Sequence, residues 1–227
     1  DRHRALTRGV VVGVMAGDQH PRPPLMMDEA DRSSDEFDRR LDVVLAGYQG
    51  DDDTVRDGLV DPDPLVRVVA LGAAQRRQSL NDGNLASLID DPDHRVRRRV
   101  AELAARHPGL DLMPLLHDDD ASVVEMAAWA CGEHPSTPLA TLDRLVHLAV
   151  EHADPLVREA AVAALGAIGD ERGLPAILHG CSDKPALRRR AVRALAPFSG
   201  PEVDAAIATA LEDRDWQVRQ SAEDIQP

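Results

Sequence analysis

Residues 154–170 read Asp-Pro-Leu-Val-Arg-Glu-Ala-Ala-Val-Ala-Ala-Leu-Gly-Ala-Ile-Gly-Asp, and the opening of this phrase recurs along the chain. Each copy has an acidic turn, then Val-Arg or a close variant, then an alanine-rich run. We define the valine of the Val-Arg pair, or the residue that takes its place, as the anchor of each copy: Val66, Val96, Val123, Val157, Leu187 and Val218. Consecutive anchors are 27 to 34 residues apart. A steady period in this range is typical of a stacked solenoid.

The alanine-rich run after each anchor has the pattern of a helix. Apolar residues stand 3, 4, 7 and 8 positions after the anchor, which puts them on one helical stripe. In the turn, Asp154 suits the N-cap position, and Pro155 suits the first helical position. The sequence therefore predicts an all-α fold, a right-handed α-solenoid of about six helical hairpins, each with a first helix A and a second helix B.

The helix bounds follow from the turns and the apolar pattern. The predicted A helices are 53–60, 82–89, 110–117, 138–152, 172–181 and 201–212. The predicted B helices are 64–77, 94–106, 121–133, 155–168, 185–196 and 215–225. These repeats make residues 51–227 the solenoid.

A single helix over residues 35–50 is predicted to cap the N-terminal end of the solenoid. Asp35 is its expected N-cap, and large apolar residues follow at helical spacing: Phe37, Leu41, Val44, Leu45 and Tyr48. Residues 1–34 carry three prolines and no repeat. We expect them to form a disordered tail, or to derive from an expression vector or an over-extended reading frame. The natural start is then one of three methionines: Met15, Met26 or Met27.

The composition limits the partners and the compartment. A net charge of −14 and a pI near 5.0 argue against a general nucleic-acid binder, which is usually basic, and against an anionic membrane surface. The composition is still compatible with a basic partner or with a local basic patch on this chain. Cys131 and Cys181 lie two repeats apart, so we expect small buried thiols, not a disulfide. No apolar run is long enough for a membrane span, and we expect a cytoplasmic protein.

The repeated phrase resembles HEAT repeats, in particular the subtype named after the phycobiliprotein lyases. The resemblance covers about residues 51–227. It implies that turn aspartates and helix arginines form a ladder of hydrogen bonds between neighbouring repeats. The residues that it assigns to this ladder are Asp63 and Arg67, Asp93 and Arg97, Asp154 and Arg158, Asp183 and Arg188, and Asp215 and Arg219.

The third repeat departs from this pattern. Val124 stands where the ladder arginine is expected, and residues 135–138 add length before the next A helix. We therefore expect the ladder to break there, which makes this junction a candidate hinge or binding site.

The exposed ridge of the B helices carries the candidate binding residues. In solenoids that resemble this one, the B helices line the concave face, so Trp129 should lie near its centre, between Arg98 and Arg189. Large aromatic residues with arginines are frequent binding hot spots. The expected partner-binding residues are Trp129, Arg98, Glu125, Arg189 and Arg193. The alternatives are that Trp129 packs over the irregular third repeat and that the arginines form a solvated face.

The first functional hypothesis is a non-enzymatic scaffold that binds an acidic segment of another protein on the concave face, because guanidinium groups pair well with carboxylates. The alternatives are an enzyme resembling HEAT-like DNA glycosylases or bilin lyases, and a structural module of a larger assembly. We predict no catalytic residue, metal or cofactor, since His147 and Glu151 alone are too few to hold a metal. We also expect no nucleic-acid partner, and the oligomeric state stays open.

Overall fold

A computed structural model describes residues 29–226, and over that range the chain is helical with no β-strand. The α-helices are α1 (Glu29–Gln49), α2 (Asp52–Gly58), α3 (Pro64–Arg77), α4 (Asp82–Ala86), α5 (His94–Ala104), α6 (Met113–Leu116), α7 (Ala121–Glu133), α8 (Leu139–Glu151), α9 (Pro155–Ile168), α10 (Leu174–Gly180), α11 (Pro185–Ala194), α12 (Pro201–Leu211) and α13 (Trp216–Ile225). A short 3₁₀ turn, Glu171–Gly173, precedes α10. The helices from α2 onward pair into six hairpins, which confirms the predicted α-solenoid.

The B helices form the continuous layer of the stack. They are α3, α5, α7, α9, α11 and α13; α3 packs on α1, each later B helix packs on the one before it, and all except α5 also pack closely on their own A helix. All six anchors are buried, at 2% exposure or less, and so occupy matching interior positions. The core is built almost entirely from valine, leucine and alanine. This follows from the repeat, because the anchor and its helical stripe meet the neighbouring helices at every level of the stack.

The N-terminal helix differs from the prediction in its start. It begins at Glu29 and not at residue 35, so Asp35 lies inside the helix and does not cap it. The remainder of the expected tail, residues 1–28 with Met15, Met26 and Met27, lies outside the described residues. No helix within residues 29–226 combines the length and apolar character of a membrane span.

The N-terminal helix also buries a different face from the one predicted. Phe37, Leu41, Leu45 and Tyr48 are exposed, while Val43 and Ala46 are buried. The reason is the close approach of α1 to α3 at Gly47, where an added Cβ would lie 2.8 Å from the Cβ of Ala73. Only small side chains fit this contact, so the large apolar residues lie on the other side of α1.

Candidate functional site

Aspartates at the turns cap most of the B helices. The carboxylate of each accepts a hydrogen bond from the backbone N–H two residues later, at 2.8–2.9 Å. The capping residues are Asp63, Asp93, Asp120, Asp154 and Asp215. This bond satisfies one of the free N–H groups at the helix start and keeps the carboxylate in its own turn.

Arginines of four B helices reach the next repeat, as the resemblance implies, but of the five expected acids only Asp183 accepts such an arginine. Arg67 donates two hydrogen bonds to Asp91, at 2.8 and 2.7 Å, and Asp91 precedes the capping aspartate by two residues. The same guanidinium donates to the backbone oxygen of Asp61 in its own turn, at 2.7 Å. The other pairs across repeats are Arg97 with Asp118, Arg158 with Asp183, and Arg188 with Asp213.

The expected ladder acids Asp63, Asp93, Asp154 and Asp215 therefore serve mainly as caps, while Asp183 does accept an arginine from the preceding repeat. The capping carboxylates accept from the backbone N–H groups of their own helices, and Asp63 also accepts from Arg40 of α1 at 3.0 Å. The arginine of the preceding repeat instead reaches the acid one or two residues before the cap. The last arginine, Arg219, donates only to a carbonyl oxygen of its own turn, that of Asp213, at 2.7 Å.

The ladder affects the ionisation of its members. Hydrogen bonds from Arg188 hold the pKa of Asp213 below its ordinary value, against the opposing effect of burial. In the same way, Asp91 and Asp118 raise the pKa of Arg67 and Arg97. These shifts favour the charged forms of Asp213, Arg67 and Arg97, which strengthens their hydrogen bonds between repeats.

At the junction of the third and fourth repeats, both members of the ladder pair are replaced. Val124 is buried in the place of the arginine, and His152 stands in the place of the acid, where its Nδ1 accepts a hydrogen bond from the backbone N–H of Asp154 at 3.1 Å. The helices α7 and α9 instead meet through small residues: a Cβ on Gly132 would lie 3.0 Å from the Cα of Ala164. Apolar packing between these two B helices, together with hydrogen bonds from Arg144 of α8 to the carbonyl oxygen of Leu116, thus replaces the ion pair at this junction.

The B helices form a surface that we call the B face, and Trp129 lies beside a groove on it. Its side chain is 41% exposed and borders a groove of about 510 Å³ that crosses α5, α7, α9 and α11. We call this the Trp129 groove. The other lining residues are Glu102, Glu125, Met126, Leu156, Glu159, Ala160, Ala163 and Arg190. Three carboxylates against one guanidinium make the groove acidic.

The carboxylates of the Trp129 groove are not equivalent. Glu102 pairs with Arg99 at 2.7 Å, and Glu159 pairs with Arg190 at 3.3 Å. Glu125 has no ion pair with any residue that the structure describes, and it precedes Trp129 by one helical turn. The unpaired carboxylate and the half-exposed indole therefore share one face of α7.

The predicted arginines lie elsewhere on the B face. Arg189 donates to the side-chain oxygen of Gln217 at 2.8 Å, and Arg193 borders a second groove of about 270 Å³ beside Trp216. We call Arg189, Arg193 and Trp216 the arginine patch. Arg98 is exposed on α5 and lines neither groove. The structure thus brings Glu125 to Trp129 and groups Arg189 and Arg193 with a second tryptophan.

Sequence reasoning missed Trp216. It follows the capping Asp215 directly, where it is 65% exposed at the start of α13. The signal was present, because a first-turn helix position outside the apolar stripe points to solvent, and the chain has only two tryptophans.

Among residues 29–226 no three His, Cys, Asp or Glu side chains are placed to hold a metal ion. Both cysteines are free thiols, and burial raises the pKa of Cys131 to about 12 and that of Cys181 to about 11. Such thiols stay protonated at neutral pH and are poor nucleophiles.

Comparison with known proteins gives the same class of fold, an α-helical repeat protein. A model of HEAT repeats matches residues 109–186. No curated protein matches the sequence. Residues 109–186 are therefore similar to HEAT repeats, and the assignment of the chain to the phycobiliprotein-lyase subtype stays a prediction.

Solved structures show the same architecture at low sequence identity. The Escherichia coli protein YibA is 17% identical over 81% of this chain and 72% of its own, with a TM-score of 0.58. A designed armadillo repeat protein in complex with the peptide (KR)4 is 17% identical over 75% of this chain and 96% of its own, with a TM-score of 0.54. An engineered protein is 19% identical over 74% and 92%, with a TM-score of 0.52.

Proposed function

We propose that this chain is a protein-binding scaffold whose B face holds an extended segment of a partner protein. The observation that carries the proposal is Trp129, a large aromatic side chain that is 41% exposed above a groove across four helices. Exposed tryptophans of this kind are frequent anchors of protein interfaces. The B helices also pack directly on one another, whereas the A helices make few mutual contacts, which supports the B face as the concave side.

The grooves of the B face adjoin one another. A groove of about 260 Å³ shares Ala163 and Arg190 with the Trp129 groove and shares Arg193 with the groove of the arginine patch. Together they form a path from α5 to α13. Four helix spacings of ~10 Å give this path a length of about 40 Å, which suits an extended segment of about 12 residues at ~3.3 Å each.

An acidic stretch of the partner fits one end of this path. Arg189 and Arg193 present guanidinium groups beside Trp216, and guanidinium binds carboxylates through paired hydrogen bonds. The hydrogen bond from Arg189 to Gln217 holds that side chain in place. Arg98, exposed on α5, is the proposed contact at the opposite end.

A peptide ligand is consistent with the fold, since the designed armadillo repeat protein of similar structure is in complex with a peptide. The charge of the Trp129 groove disfavours a glycosylase, because its glutamates would repel DNA phosphates. Scaffold binding is therefore the function that the geometry supports best.

The test is peptide selection followed by measurement of affinity. Peptides of 12 residues are selected from a displayed library on the wild-type chain, and their dissociation constants are measured by fluorescence polarisation. We expect Trp129→Ala to weaken binding by about 30-fold, which is the ~2 kcal/mol of a hot spot. The matched control is Phe37→Ala, which removes an aromatic that is 62% exposed on α1, away from the B face. Equal affinity of the two variants would contradict the proposed site.

A further inference from the structure

The Trp129 groove combines an aromatic face with an excess of negative charge. Glu125 lies one helical turn before Trp129 on α7, and it is the one lining carboxylate without an ion pair among the described residues. Glu102 and Glu159 approach from α5 and α9, each already held by an arginine. Their arginines fix the two outer carboxylates, while Glu125 stays free for a ligand.

The walls of the groove strengthen any charge interaction inside it. Met126 and Leu156 line it beside the indole, and the apolar surface removes water from a bound group. A cation over an indole face is attracted by the ring quadrupole, and this attraction grows when water is excluded. A neutral group would gain only apolar contact with the ring, and an anionic group would be repelled by the carboxylates.

We propose that the Trp129 groove binds a cationic side chain, an arginine or lysine of the bound segment, stacked on Trp129 and ion-paired with Glu125. This inference rests on the proposed function and specifies its ligand. The path then carries opposite charges at two separate places, because Arg189 and Arg193 lie on α11 and the groove centres on α7. Two helix spacings are about 20 Å, or roughly six extended residues. The partner segment would therefore carry a basic residue about six positions from its acidic residues.

The experiment uses single amino acids, so that it does not depend on the identity of the partner. In the full chain with Trp216→Phe, Trp129 is the only tryptophan, and its indole N–H gives one assignable NMR signal. The probes are the acetylated amides of arginine, lysine, norleucine and glutamate, each titrated into the millimolar range. We expect the signal to shift and saturate with the arginine and lysine probes, with affinities about tenfold above that of norleucine, and to stay unchanged with glutamate.

Variants on the same helix identify the charge that is responsible. Glu125→Gln should remove most of the preference for arginine over norleucine, whereas Glu133→Gln, an exposed acid at the end of α7, should leave it unchanged. If norleucine binds as tightly as arginine, or if Glu125→Gln keeps the preference, the cation site is refuted. The peptide assay with Trp129→Ala reports separately on the scaffold function, so the two failures are distinguishable.

Discussion

Replacement of one ladder arginine, Arg67→Met, tests whether the ion pairs between repeats stabilise the solenoid. Arg67 donates two hydrogen bonds to Asp91, at 2.8 and 2.7 Å, and one to the backbone oxygen of Asp61 at 2.7 Å. The two side chains are 11% and 4% exposed. Methionine keeps most of the apolar stem of arginine and removes only the charged group.

The magnitude follows from the burial of the acid that remains. Without Arg67, the Asp91 carboxylate keeps one donor, the backbone N–H of Asp93 at 2.9 Å. Removal of one partner from a buried ion pair costs about 3–5 kcal/mol. The matched control is Arg172→Met, because Arg172 also pairs across repeats at 2.8 Å with Asp143, but the two side chains are 48% and 64% exposed. Such exposed pairs contribute about 0–1 kcal/mol.

The assay is urea unfolding followed by circular dichroism at 222 nm, with hydrogen exchange to locate the loss, because a solenoid can unfold repeat by repeat. We expect Arg67→Met to cost at least ~2 kcal/mol more than Arg172→Met, with faster exchange in α2 to α5. Asp91→Asn in the Arg67→Met background should recover part of the loss, since it removes the unpaired charge and keeps an acceptor for the N–H of Asp93. Equal costs of the two arginine variants would refute a stabilising ladder.

Two further predictions concern the close packing of α9 on α11 and the loss of stability at low pH. Gly166→Ala should cost about 1–3 kcal/mol, although alanine favours helices, because its Cβ would lie 2.7 Å from a backbone atom of α11. Gly72→Ala is the control, because its Cβ would lie 3.1 Å from the flexible end of the Arg99 side chain and close to no backbone atom. Equal melting temperatures of the two variants would refute the clash at Gly166. The lowered pKa of Asp213 beside Arg188 means that this pair stabilises the fold above the unfolded-state pKa of ~3.9 and loses its effect as the pH falls below it. The unfolding free energy of Asp213→Asn should therefore fall less than that of the wild type as the pH drops below about 5. Asp204→Asn replaces an exposed acid and should leave this pH dependence unchanged.

The accuracy of the sequence prediction depends on how completely an element carries the repeated phrase. The fourth B helix was predicted at 155–168 and is Pro155–Ile168, because its turn, cap and apolar stripe are all present. The second A helix was predicted at 82–89 and is only Asp82–Ala86. The A helices lack the phrase, so their ends are set by packing against the B helices, which the sequence pattern does not record.

The charge around Trp129 was only partly predictable from the register of the repeats. Trp129 and Glu102 both stand six positions after their anchors, so equal register already places Glu102 beside the tryptophan, as the structure does. Arg98 and Glu159 both stand two positions after their anchors, yet only Glu159 lines the groove. The prediction favours the arginine because arginines are frequent in binding hot spots, and the spacing of repeats along the chain does not distinguish the two residues.

The interrupted ladder and the Trp129 groove lie at the same junction, and together they suggest why the site is there. At other junctions, guanidinium groups tie each repeat to the next through charged hydrogen bonds. Between α7 and α9 the arginine–aspartate pair is missing, since Val124 and His152 replace its members, and the helices meet through small residues at Gly132. A guanidinium still joins the two repeats, but on the side of the A helices, where Arg144 of α8 donates to the carbonyl oxygen of Leu116 at 3.1 and 3.0 Å. A segment bound along the B face would contact helices on both sides of this junction, and so would add contacts on the side where the arginine–aspartate pair is absent.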